Sequence, residues 1–230
     1  VLLLLPSVRT WNKQATNYFY SDTLLIPPIY HDDRTLLHSE SLILLLSFDN
    51  FNHVLGPFIK TYIPYGAYWS TPFARWQGAF ANLHSLKFAA HIASDALRKR
   101  SIDAAQIDFG VLGTTIPQTH CFYGLPWVTG LMGAAHVGGP TINQACATSA
   151  RVLATAADEV ERGDSQCALL LAADRTSNGP HLYYPNPSAP GGTGQHENWV
   201  MDNFSCDPFA NVAMVATAEN VATEYEISTA

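Results

Sequence analysis

The stretch Thr141-Ile142-Asn143-Gln144-Ala145-Cys146-Ala147-Thr148-Ser149-Ala150-Arg151 joins a short apolar run to an Ala-rich segment that reads as a helix through Arg162. Gly163 supplies a stop for that helix, and Cys167 to Ala173 is a continuous apolar run of the kind a central strand needs. Strand, helix, strand in that order is a βαβ unit, so the expected fold is α/β. Cys146 then lies at the strand-to-helix turn. There the helix dipole and its free backbone N–H groups favour thiolate over thiol. The N–H of Cys146 is also offered to a developing oxyanion. Placement alone leaves two readings open, a nucleophile and an inert small hydrophobe.

Outward from this unit the chain keeps alternating in type. Leu86, Ala89, Ala90, Ala93, Ala96 and Leu97 form a helical stripe within Leu86 to Arg100, which ends in Arg98, Lys99 and Arg100 where the dipole favours cations. Ile107 to Thr115 reads as a buried strand, and Gly138-Gly139-Pro140 as a turn feeding the Cys146 strand. Asp174 to Asn211, rich in Pro, Gly, Asn and Ser, is too long for an ordinary connector and is expected to be a functional loop region. Residues 1–60 stand apart. They lack a starting Met, carry Ile26-Pro27-Pro28-Ile29 and His31-Asp32-Asp33-Arg34, and hold no sustained period. An unusual appended segment is the functional reading, a fragment boundary or translated upstream sequence the other, and in the latter case the Leu42 to Leu46 run would be exposed and prone to aggregate.

A chain of 230 residues with 47% hydrophobic content can bury a large core, while 13% charged residues and a net charge of -7 argue against a nucleic-acid surface. Cys121, Cys146, Cys167 and Cys206 show no C-x-x-C pairing and no zinc-like partnership with histidine, so a reducing, cytoplasmic setting and no metal are expected. Val1 to Leu5 is too short for a signal peptide and Leu42 to Phe48 far too short to span a membrane. His84, His120, His136, His181 and His196 have no H-E-x-x-H spacing, and His31, His38 and His53 lie in the segment set apart. Gly191-Gly192-Thr193-Gly194 follows a Pro-rich loop rather than a strand, which makes it a turn instead of a phosphate cradle.

Four ordered matches resolve the ambiguity at Cys146. Ile142 to Ser149 resembles the nucleophile segment of the thiolase family, Asn-x-x-Cys-x-Ser-Gly before a long Ala-rich helix. Tyr65 to Phe73 resembles that family's first strand and Arg-Thr-Pro-Phe turn, and Ile102 to Gly113 its Ile-Asp…Val-x-x-Gly strand. Met214 to Ala222 is similar to Met-Gly-x-Thr-Ala-Glu-Asn-Val-Ala. The resemblance covers about Thr61 to Ala230. It implies the N-terminal half of a five-layered αβαβα fold, residues 61–230, with about 174–230 belonging to the loop domain that shapes the coenzyme A and acyl pocket. By the same resemblance Cys146 is the nucleophile of an acyl-CoA C-acyltransferase, and Met214 lies on the substrate side as an apolar wall. Coenzyme A would be substrate and product with no further cofactor, and the intact protein a homodimer or homotetramer.

The family's activating His in Gly-His-Pro and its second Cys in Cys-x-Gly-Gly-Gly do not occur here. Gly179-Pro180-His181 has the wrong order and reads as a turn, and Cys206-Asp207-Pro208 does not match. The chain is therefore expected to be an N-terminal fragment, inactive alone. Thr148-Ser149 stands where the family has Ser-Gly, Val215 replaces a Gly and is expected to narrow the pocket or shift the backbone, and Ala213 replaces a His. Two alternatives compete. Gln144-Ala145-Cys146, with His91 upstream, matches the start of a caspase signature, but Ala147-Thr148 lacks the required Gly. A thiolase-like protein that binds acyl-CoA or lipid without turnover is the other.

Overall fold

Val111 and Leu112 are neighbours in sequence, yet they are buried in two different cores, one on each face of a single sheet. The computed structural model describes residues 2–6 and 61–228. The Leu42 to Leu46 run, the clusters at 26–29 and 31–34, and His31, His38 and His53 lie outside the described residues.

The chain forms β1 (Leu2–Pro6), β2 (Thr61–Tyr62), α1 (Ser85–Lys99), β3 (Phe109–Gly113), α2 (Leu125–Leu131), β4 (Thr141–Ile142), α3 (Thr148–Arg162) and β5 (Ala168–Ala172). After them come β6 (His181–Tyr184), β7 (Gln195–Asn198), α4 (Trp199–Ser205) and α5 (Met214–Glu224). The main sheet runs β2-β1-β5-β3-β4. Strands β5, β3 and β4 are parallel, and β1 is antiparallel to both its neighbours.

On one face, Leu112, Leu169 and Leu171 pack with Leu86, Ala90 and Leu97 of α1 and with Leu125 and Val128 of α2. On the other, Val111, Ala168 and Leu170 meet Val152, Ala156 and Val160 of α3. Each large aliphatic side chain so buried contributes roughly 2 kcal/mol. The layering also follows from handedness. The crossover from β3 through α2 reaches the neighbouring strand β4, and the one through α3 returns across β3 to β5. Both crossovers obey the right-handed rule only if their helices lie on opposite faces. That reversal opens a crevice at the carboxyl ends of the parallel strands, where Gly113 is in register with Ile142 and Ala172.

Several elements differ from the sequence expectation. No strand forms over Tyr65 to Phe73 beyond a single bridge at Tyr68. Pro64 and Pro72 have no N–H for a ladder. Arg100 holds this stretch instead, donating from Nε to the Gly66 carbonyl at 2.7 Å and from Nη2 to the Tyr68 carbonyl at 3.3 Å. Leu2–Pro6, from the segment set apart, pairs with β5, and its uninterrupted apolar run suits an interior strand. The region from Asp174 to Asn211 contains the β6–β7 hairpin and α4, so it is a built subdomain rather than a bare loop, and His181 opens β6 instead of sitting in a turn. Among the described residues no helix is long and apolar enough to cross a membrane.

Candidate active site

The turn between β4 and α3 is held by its own side chains. Ala145 has a φ of +45°, a left-handed conformation that costs a non-glycine residue roughly 1–3 kcal/mol. Asn143 Oδ1 accepts the Ala145 N–H at 2.8 Å, and Thr148 Oγ1 accepts the Gln144 N–H at 2.8 Å while donating to the Ala145 carbonyl at 2.7 Å. Arg151 Nε closes the set on Gln144 Oε1 at 2.7 Å. These bonds, about 1 kcal/mol each, offset the strain. The turn leaves Cys146 exposed, directly before a helix whose first residue is Thr148 and whose N-terminus has no side-chain cap. The Ala147 and Thr148 N–H groups donate to the carbonyls of Gln144 and Ala145 at 3.0 and 3.2 Å, so those of Ser149 and Ala150 are the first-turn donors that no side chain caps.

Cys146 lines a cleft of about 650 Å³ at the carboxyl ends of β3 and β5. Gly113, Thr115 and Ile116 form its floor at the end of β3, with Asp174 beyond β5. Trp199, Val200 and Phe204 of α4 and Met214 of α5 supply its apolar walls. Both residues singled out in the sequence, Cys146 and Met214, thus line the same cavity. Val215 does not: it is 73% exposed, so its bulk leaves the cleft unnarrowed. Asp174, Thr115, Trp199 and Phe204 were not singled out as site residues. The rule that ligands bind beyond the carboxyl ends of parallel strands would have pointed to Asp174.

The other candidates lie elsewhere. No histidine among the described residues lines the cleft, and His91 is exposed on α1, which removes the caspase-like partner. His84 Nε2 bonds the Thr119 carbonyl at 2.6 Å and His136 Nε2 the Ile107 carbonyl at 3.0 Å, both structural contacts. Asp207, on the cleft wall, is held below the usual carboxylate range by backbone N–H groups of Ala210 and Phe209, so it remains an anion. Among the described residues no group of three or more His, Cys, Asp or Glu side chains is arranged for a metal.

Cys167 is buried at the edge of β5, and burial, with the Asp108 carboxylate as a lesser cause, pushes its thiol up to about 12. At pH 8 it is a neutral, inaccessible thiol. Iodoacetamide on the native protein should alkylate exposed Cys146 and Cys206 and spare Cys167, as read by peptide mass spectrometry; early modification of Cys167 would contradict its burial. The unfolded thiol loses its proton near 9.0 and the folded one only near 12, so this group lowers stability progressively as pH rises through that window and contributes nothing below it.

Residues 67–230 match the family model described as thiolase, N-terminal domain. The chain is 30% identical over 169 residues to the acetyl-CoA acetyltransferase of Paracoccus denitrificans, covering 70% of this chain and 41% of that protein. It is 26% identical over 165 residues to the beta-ketothiolase BktB of Cupriavidus necator, with the same two coverages. The chain thus spans about two fifths of the length of these relatives. Among solved structures, the acetyl-CoA acetyltransferase of Syntrophomonas wolfei aligns with a TM-score of 0.62 at 24% identity, over 69% of this chain and 40% of that one. The human mitochondrial 3-ketoacyl-CoA thiolase in complex with CoA aligns at 0.56 and 18%, over 69% and 41%. The α/β layering seen here is the N-terminal half of that layered fold, and the chain belongs to the thiolase family.

Proposed function

We propose that the full-length protein is an acyl-CoA C-acyltransferase that works through a thioester on Cys146. The observation that carries this reading is an exposed thiol at an uncapped helix N-terminus, on the wall of a largely apolar cleft. In the first step the Cys146 thiolate attacks the thioester carbonyl of an acyl-CoA. The acyl carbon–sulfur bond to coenzyme A breaks, and coenzyme A leaves as a thiolate that takes up a proton. In the second, the α-carbanion of another acyl-CoA attacks the acyl-Cys146 carbonyl, a carbon–carbon bond forms, and the Cys146 thiolate is released. Run backward, the same steps are thiolysis.

The Cys146 N–H is the donor this chain offers to the tetrahedral oxyanion, and Met214 is an apolar wall for the acyl group. The histidine and second cysteine of the family's Gly-His-Pro and Cys-x-Gly-Gly-Gly segments would supply the general bases from outside this chain. Coenzyme A enters as substrate and product, with no other cofactor in the scheme. A homodimer or homotetramer in the cytoplasm completes the reading. Supporting it are exposed Phe122 and Tyr123 at 91% and 73%, which an interface would cover, and four cysteines that are all free.

The test is direct. Full-length protein given acetyl-CoA and no second substrate should carry an acetyl mass increment on the Cys146 peptide, with far less on Cys121, Cys167 and Cys206. Binding of acetyl-CoA without any such increment would instead favour a non-catalytic acyl-CoA carrier.

A further inference from the structure

Asp174 is held by the loop that leaves β3. Its Oδ1 accepts from Thr114 Oγ1 at 3.0 Å, from the Thr115 N–H at 2.8 Å and from the Ile116 N–H at 3.0 Å, and its Oδ2 accepts from Thr115 Oγ1 at 2.7 Å. Four donors converge on one carboxylate, an acceptor-only group suited to that task. The clamp joins the carboxyl ends of two adjacent parallel strands where they open onto the Cys146 cleft. It also fixes the Thr115 carbonyl, which accepts the indole N–H of Trp199 at 3.0 Å. Trp199 begins α4 and stands on the cleft wall. A bulky ring there sets how much room an acyl group finds, and its indole nitrogen donates to the residue that Asp174 holds.

We infer that Asp174 is a positioning residue for acyl-group selectivity: through Thr115 it fixes the indole of Trp199 on the cleft wall, and so sets which acyl groups fit beside Cys146. This rests on the acyltransferase reading above. Asp174 itself touches no reacting atom in this account. It acts by keeping a wall rigid, so its loss relaxes selectivity more than it slows chemistry.

The experiment uses the full-length protein and compares wild type, Asp174→Ala, Trp199→Phe and the double variant with acetyl-CoA and octanoyl-CoA. Trp199→Phe keeps an aromatic ring but removes the N–H. Each single variant should raise the kcat/KM ratio of octanoyl-CoA over acetyl-CoA by about tenfold, through a lower KM for octanoyl-CoA. The double variant should go no further, because both changes cut one chain of contacts. An unchanged or lowered ratio, an equal fall of kcat for both substrates, or additive effects in the double variant overturns the proposal. If Asp174→Ala does not fold, Trp199→Phe decides alone by the same ratio. Mass analysis of Cys146 separates the two levels. Acylation with an unchanged ratio overturns this proposal only, whereas wild-type protein that never acylates overturns the acyltransferase reading and this proposal with it.

Discussion

Cys146→Ala in the full-length protein should lower kcat for acyl transfer by at least about 10⁴-fold while leaving the fold intact. Both steps of the proposed reaction pass through the sulfur, so no neighbouring group can take over the acyl chain. The thiol contributes little to packing because Cys146 is exposed. The left-handed turn before it is held by Asn143 and Thr148, whose bonds are made by other atoms. The melting temperature should therefore stay within about 2 °C of wild type, as for a surface substitution. Cys146→Ser should be nearly as inactive, since a hydroxyl without a strong base is a far weaker nucleophile than a thiolate. Steady-state kinetics and calorimetry on the same preparations check both halves. A Cys146→Ala protein retaining a tenth of wild-type kcat would exclude the thioester mechanism.

How much of this was legible in the sequence depended on whether a feature was local. The α3 helix ends at Arg162 as expected because an Ala-rich run and a stop at Gly163 are local signals, and Gly163 does end it with a φ of +82°. Strand β5 was readable for the same reason, trimmed from Cys167–Ala173 to Ala168–Ala172 at its ends. Of the walls of the cleft, Met214 was readable through its family match, but the α4 wall was not. Trp199 faces it because its indole reaches a carbonyl far away in sequence, and the bonds to Asp174 join residues on two different strand ends. No window of sequence contains such pairs.

Tyr65 to Phe73 shows the opposite error. Its resemblance to the family's first strand implies a strand, but Arg100, the residue that follows α1, occupies two of its carbonyls. Val215 replaces a glycine of the family pattern and is expected to narrow the pocket or shift the backbone; its exposure bears on the first alone. Position on the helix decides against narrowing, since Val215 follows Met214 by one residue and faces solvent.

Gly113→Ala should destabilise the protein by about 3 kcal/mol and slow acylation of Cys146 at the same time. Gly113 is the last residue of β3 and lies under the first turns of α3. A Cβ there would come within 2.6 Å of both Thr148 Cγ2 and Val152 Cγ2, closer than packed carbon atoms approach. Neither neighbour is free to yield. Val152 is 2% exposed inside the α3 core, and Thr148 is tied by its hydroxyl to the Gln144 N–H and the Ala145 carbonyl. The added methyl must therefore push the first turn of α3 away from the sheet, and the turn carrying Cys146 moves with it. Gly130→Ala on α2 makes the same chemical change where nothing lies within 4 Å, and should raise stability by about 0.5–1 kcal/mol through helix propensity. Urea unfolding of the two variants against wild type separates crowding from a general intolerance of alanine. If Gly113→Ala proves as stable as Gly130→Ala, the close approach of β3 to α3 is not what seats the Cys146 turn.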